Sequence, residues 1–312
     1  MNPPQISVII CTHNPRADYL GRTLDGLRSQ ELSAGEWELV LVDNASPEPV
    51  APRFDLGWHP RARVVVEPEM GLTAARLRGI SEASAPLLVF VDDDNVLSAD
   101  YLKRALSLAA LWPMLGVWGS GTYTPEWEQE PPAEFAPYLA YLAVQQIPRD
   151  RWSNRLFDYD ATPAGAGICV RAPVAQAYAA KVRTDPRRKL LGRTGASLSG
   201  CEDHDLAFTA IDTGLGTGVF KSLSLVHLMP RGRVAESYLL RLVDGHACSS
   251  VILHALRDPT ARPPRRNLLS WVRETRLRRA LSPIALKIHD AKRRGEARAW
   301  ALIRSSSEQK VT

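Results

Sequence analysis

The sequence predicts an α/β fold: a mostly parallel central sheet with helices on both faces. Three observations predict it. Four short apolar, β-branched runs fall within the first hundred residues, helically spaced segments separate them, and three of the runs end in polar clusters. The first run, Ile6-Ser7-Val8-Ile9-Ile10-Cys11, stops at Thr12-His13-Asn14-Pro15, and Tyr19, Leu20, Leu24 and Leu27 then recur at helical spacing. The second run, 37–42, is closed by Asp43-Asn44-Ala45-Ser46-Pro47, and 63–66 is the third. Residues 71–82 carry a helical pattern, and the fourth run, 87–91, leads straight into Asp92-Asp93-Asp94. Strands apolar almost throughout belong in parallel sheets covered on both sides. In such sheets ligands gather at the carboxyl ends of the strands, where the three polar clusters stand.

From about 119 to 163 the regularity is lost. The stretch is rich in Pro and in Tyr123, Trp127, Tyr138, Tyr141, Trp152 and Tyr159. Aromatics with polar tips suit a surface that grips a sugar or a lipid-linked ligand, and they also simply pack. A strand is expected over 164–170, a helix over 201–211, and strands at 218–220 and 226–228. Beyond about 237 the pattern is helical, broken by Pro259, Pro263 and Pro264, with a basic helical segment from Leu268 onward. The end of the chain, from Ser305 to Thr312, is polar.

The bulk composition narrows the classes. A chain of 312 residues with 45% hydrophobic and 23% charged residues is an ordinary folded protein rather than a disordered one. No run approaches the roughly 18 unbroken apolar residues of a spanning helix. Met1-Asn2-Pro3-Pro4 offers neither a basic start nor an apolar signal core, so no removable leader is expected. Cys11, Cys169, Cys201 and Cys248 form no CxxC pair, which argues against a zinc knuckle or a disulfide framework and fits a reducing cytoplasm. The net charge of +5 is uneven. Residues 262–304 hold thirteen Lys or Arg against Glu274, Asp290 and Glu296, an excess of +10 over a body that sums to −5. That is one basic face on an acidic body, not a general nucleic-acid binder.

Asp92 and Asp94, one residue apart at a strand end, can face one small volume, and hard oxygen ligands suit Mg²⁺ or Mn²⁺. Asp is also common in turns that bind nothing; the place directly after an apolar strand, beside two further polar clusters, favours the metal. Glu202-Asp203 opens a helix. A carboxylate there can deprotonate a hydroxyl, although acids at helix starts are favoured by the dipole in any case. Arg76 follows Gly71-Leu72-Thr73-Ala74-Ala75, small residues that let a ligand come close. His227 and Arg233 are candidates for a third metal ligand and a phosphate contact.

Taken together, Val8 to Asn14, Val42 to Ser46, Gly71 to Arg76, Val89 to Asp94 and Gly200 to Asp203 resemble, in order and spacing, the family 2 glycosyltransferases of GT-A fold, over roughly residues 5–235. The resemblance implies a metal-dependent inverting enzyme using a nucleoside-diphosphate sugar. Thr12 and Asp43 match positions that bind the nucleotide base, with His13 and Asn14 beside them, and Arg76 matches a residue lining the nucleotide pocket. Asp92 matches the carboxylate near the ribose and Asp94 the one on the metal, with Asp93 between them. Asp203 matches the base, with Glu202 adjacent. One departure is Glu67-Pro68-Glu69-Met70 before Gly71, where the family often has Asn.

On this reading residues 1–235 form the catalytic domain, with a nucleotide-sugar-binding half at 1–118 and an acceptor-binding half at 119–235. Residues 236–312 form a basic helical extension. The implied acceptor is a glycan or lipid-linked hydroxyl, in bacterial-type surface glycan or glycolipid synthesis. The extension is a candidate for peripheral contact with the inner face of a membrane, against packing on the domain or dimerisation. A nucleotidyltransferase would share the layout, but Thr12-His13-Asn14-Pro15 is not the Gly-rich basic loop it needs. A catalytically silent glycan- or lipid-binding relative is the remaining alternative.

Overall fold

The computed structural model describes residues 2–258, 260–264 and 267–308; Met1, Pro259, Arg265, Arg266 and the last four residues of the polar end lie outside the described residues. The first hundred residues form β1 (Ile6–Thr12), α1 (Ala17–Arg28), β2 (Trp37–Asn44), β3 (Ala62–Glu67), α2 (Leu72–Glu82), β4 (Leu87–Asp92) and β5 (Asn95–Leu97). β1 lies between β2 and β4 and parallel to both, which is why its run is apolar throughout: Ile6, Val8, Ile9 and Ile10 are fully buried. Ser7, the polar exception, donates to Glu38 Oε1 at 2.6 Å, and Arg63 holds the other oxygen of Glu38 at 2.7 Å. A buried hydroxyl and a buried carboxylate thus satisfy each other.

Then come α3 (Tyr101–Leu111), β6 (Leu115–Trp127), β7 (Gln145–Gln146), β8 (Arg151–Ser153), β9 (Ile168–Arg171), α4 (Ala172–Thr184), α5 (Glu202–Asp212) and β10 (Gly216–Met229). One sheet runs in the order β3-β2-β1-β4-β9-β6-β10-β5, with β7 added to β6 and β8 to β10. Alternate residues of β1 point to opposite faces. Val8 and Ile10 pack with Leu20, Leu24, Leu102 and Ala105 of α1 and α3, whereas Ile9 packs with Ala75, Val174, Tyr178 and Leu206 of α2, α4 and α5.

The sheet is mixed. β6 and β10 are parallel, but β9 is antiparallel to both of its neighbours, β4 and β6. The strand expected over 164–170 begins only at Ile168, because Gly167 takes a φ of 71° and breaks the extended run before it. The two strands expected at 218–220 and 226–228 are one strand, β10, with an irregularity between Phe220 and Ser224 that sequence periodicity reports as a gap. β6 passes through positions 118 and 119, so the two halves divided there share a single sheet.

The extension comprises α6 (Glu236–Arg257), α7 (Leu268–Ala280) and α8 (Pro283–Glu308). α6 is long and apolar enough to cross a membrane by length and composition, but half of that window is buried inside the protein. Leu239 and Val243 pack with Ile284, Ile288 and Ala291 of α8, and Ile252 and Leu253 with Phe208 of α5. Gly295 lets the two helices meet closely, since a Cβ there would strike the Asp244 carbonyl. Three basic residues of α8 are engaged with α6: Lys287 with Glu236 at 2.8 Å, and Arg294 and Arg298 with Asp244.

A buried ion cluster joins the extension to α5. Asp205, with no exposure, holds Arg188 at 2.5 Å and Arg257 of α6 at 3.0 Å. Removing the acid leaves two guanidiniums in the interior facing each other. Asp205→Ala should therefore cost roughly 3–5 kcal/mol of stability in urea unfolding, whereas truncating the exposed Glu31, which pairs with Lys103 at the surface, should change it by less than about 1 kcal/mol.

Candidate active site

A cavity of about 950 Å³ is lined by the ends of β1 and β4, the starts of α2 and α5, the end of β10 and one side of α6. β4 supplies the three aspartates. The chain turns at Asp93-Asp94 into β5, which pairs antiparallel with β10 so that Asn95 faces His227. That register sets Asp94 beside His227, and the Leu228 N–H donates to the Asp94 carbonyl at 2.8 Å. The short turn after β10 then returns Arg233 to the same place. Its Nη2 meets Asp94 Oδ2 at 2.5 Å and its Nη1 meets His227 Nε2 at 2.7 Å. A guanidinium only donates, so His227 Nε2 is the acceptor and the ring proton sits on Nδ1.

The three aspartates differ in their surroundings. Burial pushes the Asp94 carboxyl up, but Arg233, then His227 and Arg193, bring it well below the usual carboxylate range. Asp93 is pushed up to about 7 by burial and by Asp94, although the Thr12 hydroxyl donates to it. Asp92 is also raised, by burial and by Asp94, against the pull of Arg76 and Arg193. Asp94 is the carboxylate held ionised, and the donor set fits a divalent cation: one of its oxygens and an imidazole lone pair already face a single cationic group. Among the described residues no three His, Cys, Asp or Glu side chains are grouped to hold a metal unaided. Further ligands would have to come from substrate or water, which is usual for Mg²⁺ and Mn²⁺.

The first turn of α5 presents Glu202 and Asp203 to the same cavity. Asp203 accepts from the Gly165 N–H at 2.8 Å and from the His204 N–H at 2.7 Å, which fixes its carboxylate while leaving lone pairs to the cavity. Glu202 is buried and pairs with Arg76 at 3.3 Å; burial lifts its carboxyl to about 7 in spite of Arg76. Arg76 Nη1 and Glu202 Oε2 are buried without a hydrogen-bond partner, so both retain capacity for a ligand. Gly165 is required here, since a Cβ would lie 2.5 Å from the Arg76 guanidinium.

Thr12, His13, Arg76, Asp92, Asp93, Asp94, Glu202, Asp203, His227 and Arg233 therefore line one cavity. Asn14 and Asp43, expected with them as nucleotide contacts, do not. Asp43 is buried with its oxygens taken by the Ser46 and Val50 N–H groups at 3.1 and 3.0 Å, so it closes the loop after β2. Asn14 is an exposed turn residue at φ 49°, bonded to Ser46. Asn44 faces the cavity instead. Its amide donates to the Glu67 and Glu69 carbonyls and accepts from the Gly71 N–H, tying β2, β3 and the start of α2 together. Of the six tyrosines and tryptophans between 119 and 163, Tyr123 and Tyr141 reach the cavity, while Trp152 and Tyr159 are surface residues.

Sequence reasoning missed Arg193, His204 and His246 as lining residues. Arg193 lies in a loop without a motif. His246 sits on α6, where only the folding back of the extension reveals it, in edge contact with Tyr141 at 5.6 Å.

The chain resembles known proteins in keeping with this geometry. Residues 7–132 match the model of glycosyl transferase family 2. The chain is 29% identical over 107 residues to glycosyltransferase AglE of Haloferax volcanii, covering 33% of this chain and 35% of that one. It is 32% identical over 111 residues to validoxylamine A glucosyltransferase of Streptomyces hygroscopicus subsp. jinggangensis, covering 34% and 26%. These matches span about a third or less of the relatives' own length. In fold, the whole chain superposes on 82% of the mannosyltransferase PcManGT from Pyrobaculum calidifontis, solved with GDP-Man and Mn²⁺, with a TM-score of 0.53 at 19% identity. The architecture is the GT-A fold with a helical C-terminal region. The segment that carries the strand ends and the three aspartates is thus similar to glycosyl transferase family 2.

Proposed function

We propose that the protein transfers a sugar from a nucleoside-diphosphate sugar to an acceptor hydroxyl in one displacement with inversion. The observation that carries this reading is that one cavity holds two kinds of group. Arg76, Arg193, Arg233 and the aspartates line it together with Asp203, Tyr141, His204, Leu242 and His246. The first set suits a diphosphate and its counterion, the second a neutral hydroxylated acceptor.

Asp203 takes the proton from the acceptor hydroxyl as that oxygen attacks the anomeric carbon. Glu202, tied to Arg76, positions that guanidinium at the donor rather than serving as the base. Departure of the nucleoside diphosphate builds negative charge, which Arg76, held by Glu202, and Arg193 offset. A Mn²⁺ or Mg²⁺ ion would be held by Asp94 and His227 with Asp92 nearby, supplying Lewis-acid stabilisation of the leaving diphosphate. The related fold that binds GDP-Man with Mn²⁺ supports a metal and a nucleotide sugar in this role. A glycan or lipid-linked acceptor, within bacterial surface glycan synthesis on the cytoplasmic side, accords with the half-apolar acceptor wall and the four unpaired cysteines.

Asp203→Asn should lower turnover of the cognate nucleotide sugar about 10²–10⁴-fold while leaving nucleoside-diphosphate binding, read by calorimetry, within a few-fold. Unchanged turnover would assign the base elsewhere. A second outcome concerns Arg233, which occupies the ligand pair expected for the cation. Arg233→Gln should bind Mn²⁺ without nucleotide about tenfold more tightly than the unaltered protein, measured by electron paramagnetic resonance. Asp94→Asn should abolish that binding in either background.

A further inference from the structure

The basic extension is not uniform. Lys287, Arg294 and Arg298 of α8 are paired with acids of α6, as described above, whereas α7 stands apart. None of its residues is buried. It meets α8 through polar side chains, with Glu274 at 2.7 Å from His289 and Arg278 paired with Asp290. What remains turned outward is apolar as well as basic. Leu268 is 75% exposed, Leu269 70%, Trp271 64% and Leu277 45%. Single exposed leucines are ordinary in soluble proteins, but Leu268, Leu269 and Trp271 fall together in the first turn of α7 and leave that end of the helix apolar and exposed. Arg273, Arg276 and Arg279 lie among them, exposed and in no ion pair among the described residues.

We propose that α7 is a docking element for an anionic lipid surface. Leu268, Leu269 and Trp271 enter the boundary between headgroups and acyl chains, and Arg273, Arg276 and Arg279 sit against the lipid phosphates. The combination selects this partner over others. Burying the apolar side chains removes them from water, Trp favours the interfacial layer, and each Arg adds attraction to negative headgroups. A second copy of the chain would bring the same three arginines against their own counterparts, a like-charge contact that a dimer through this face would have to overcome. A nucleic acid would find a single aromatic, Trp271, on which to stack a base. The proposal does not depend on the reaction catalysed, because α7 lines no part of the active-site cavity.

Flotation of the full chain with vesicles tests it. Vesicles of phosphatidylcholine with about one-third phosphatidylglycerol should carry the protein, pure phosphatidylcholine vesicles should carry far less, and added salt should weaken the binding. The triple change Leu268→Ser, Leu269→Ser, Trp271→Ser and the triple change Arg273→Glu, Arg276→Glu, Arg279→Glu should each lower the partition coefficient about tenfold or more. Both should leave the melting temperature and nucleoside-diphosphate binding unchanged, since every altered side chain is exposed. Three results would overturn the proposal: no flotation of the unaltered chain with the anionic vesicles, equal flotation of the triple variants, or a dimer in sedimentation that the apolar variant converts to monomer while vesicles bind neither.

Discussion

The active site rests on the compensation of buried acids by buried arginines. Asp92, Asp93, Asp94, Glu202 and Asp203 converge on one cavity, and burial by itself drives carboxyls towards their neutral forms. Arg76 offsets Glu202 and Asp92, while Arg233 offsets Asp94. Asp94 carries the closest cationic contact and is the one driven well below the ordinary range; Asp93 and Glu202 are less fully compensated and rest near 7. The compensation is therefore uneven: Asp94 is the carboxylate most strongly held in its charged form.

Such a cluster requires a rigid frame, because an arginine displaced from its acid leaves two uncompensated charges. The frame is supplied by sheet register. β4 brings the aspartates to a strand end, and the pairing of β5 with β10 places Asp94 beside His227 without contact by chance. α5 is secured from behind by Asp205, so that the first turn carrying Glu202 and Asp203 is anchored through Arg188 and Arg257. The extension therefore completes the site: α6 contributes Arg257 to this anchor and Leu242 and His246 to the cavity wall.

Charge is partitioned in the same way on the outside. Where α8 packs on α6 within the extension, Lys287, Arg294 and Arg298 are paired with Glu236 and Asp244. Where no acid is in reach, as on much of α7, the cations and the apolar side chains beside them stay available to a partner. A single count of charge along the segment merges these two situations, and pairing across helices separates them.

Four strands and two helices of the first hundred residues, though not the short β5, were legible in the sequence because hydrophobic period and turn chemistry are local properties. So was the presence of Thr12, Arg76, Asp92, Asp93, Asp94 and Asp203 in one site, because motif order on a parallel sheet maps onto neighbouring strand ends. Tertiary structure decided what depends on partners distant in sequence. Asp43 has the right type and place but spends its oxygens on Ser46 and Val50, and its neighbour Asn44 faces the cavity. β9 runs antiparallel to β4 and β6, partners distant in sequence, and begins only after Gly167, and periodicity registers neither. His246 and Arg193 entered the site, and α7 separated from α8, only once the chain had folded back on itself. Local pattern determined which residues could do chemistry; packing decided which of them face the cavity and which are held by a neighbour.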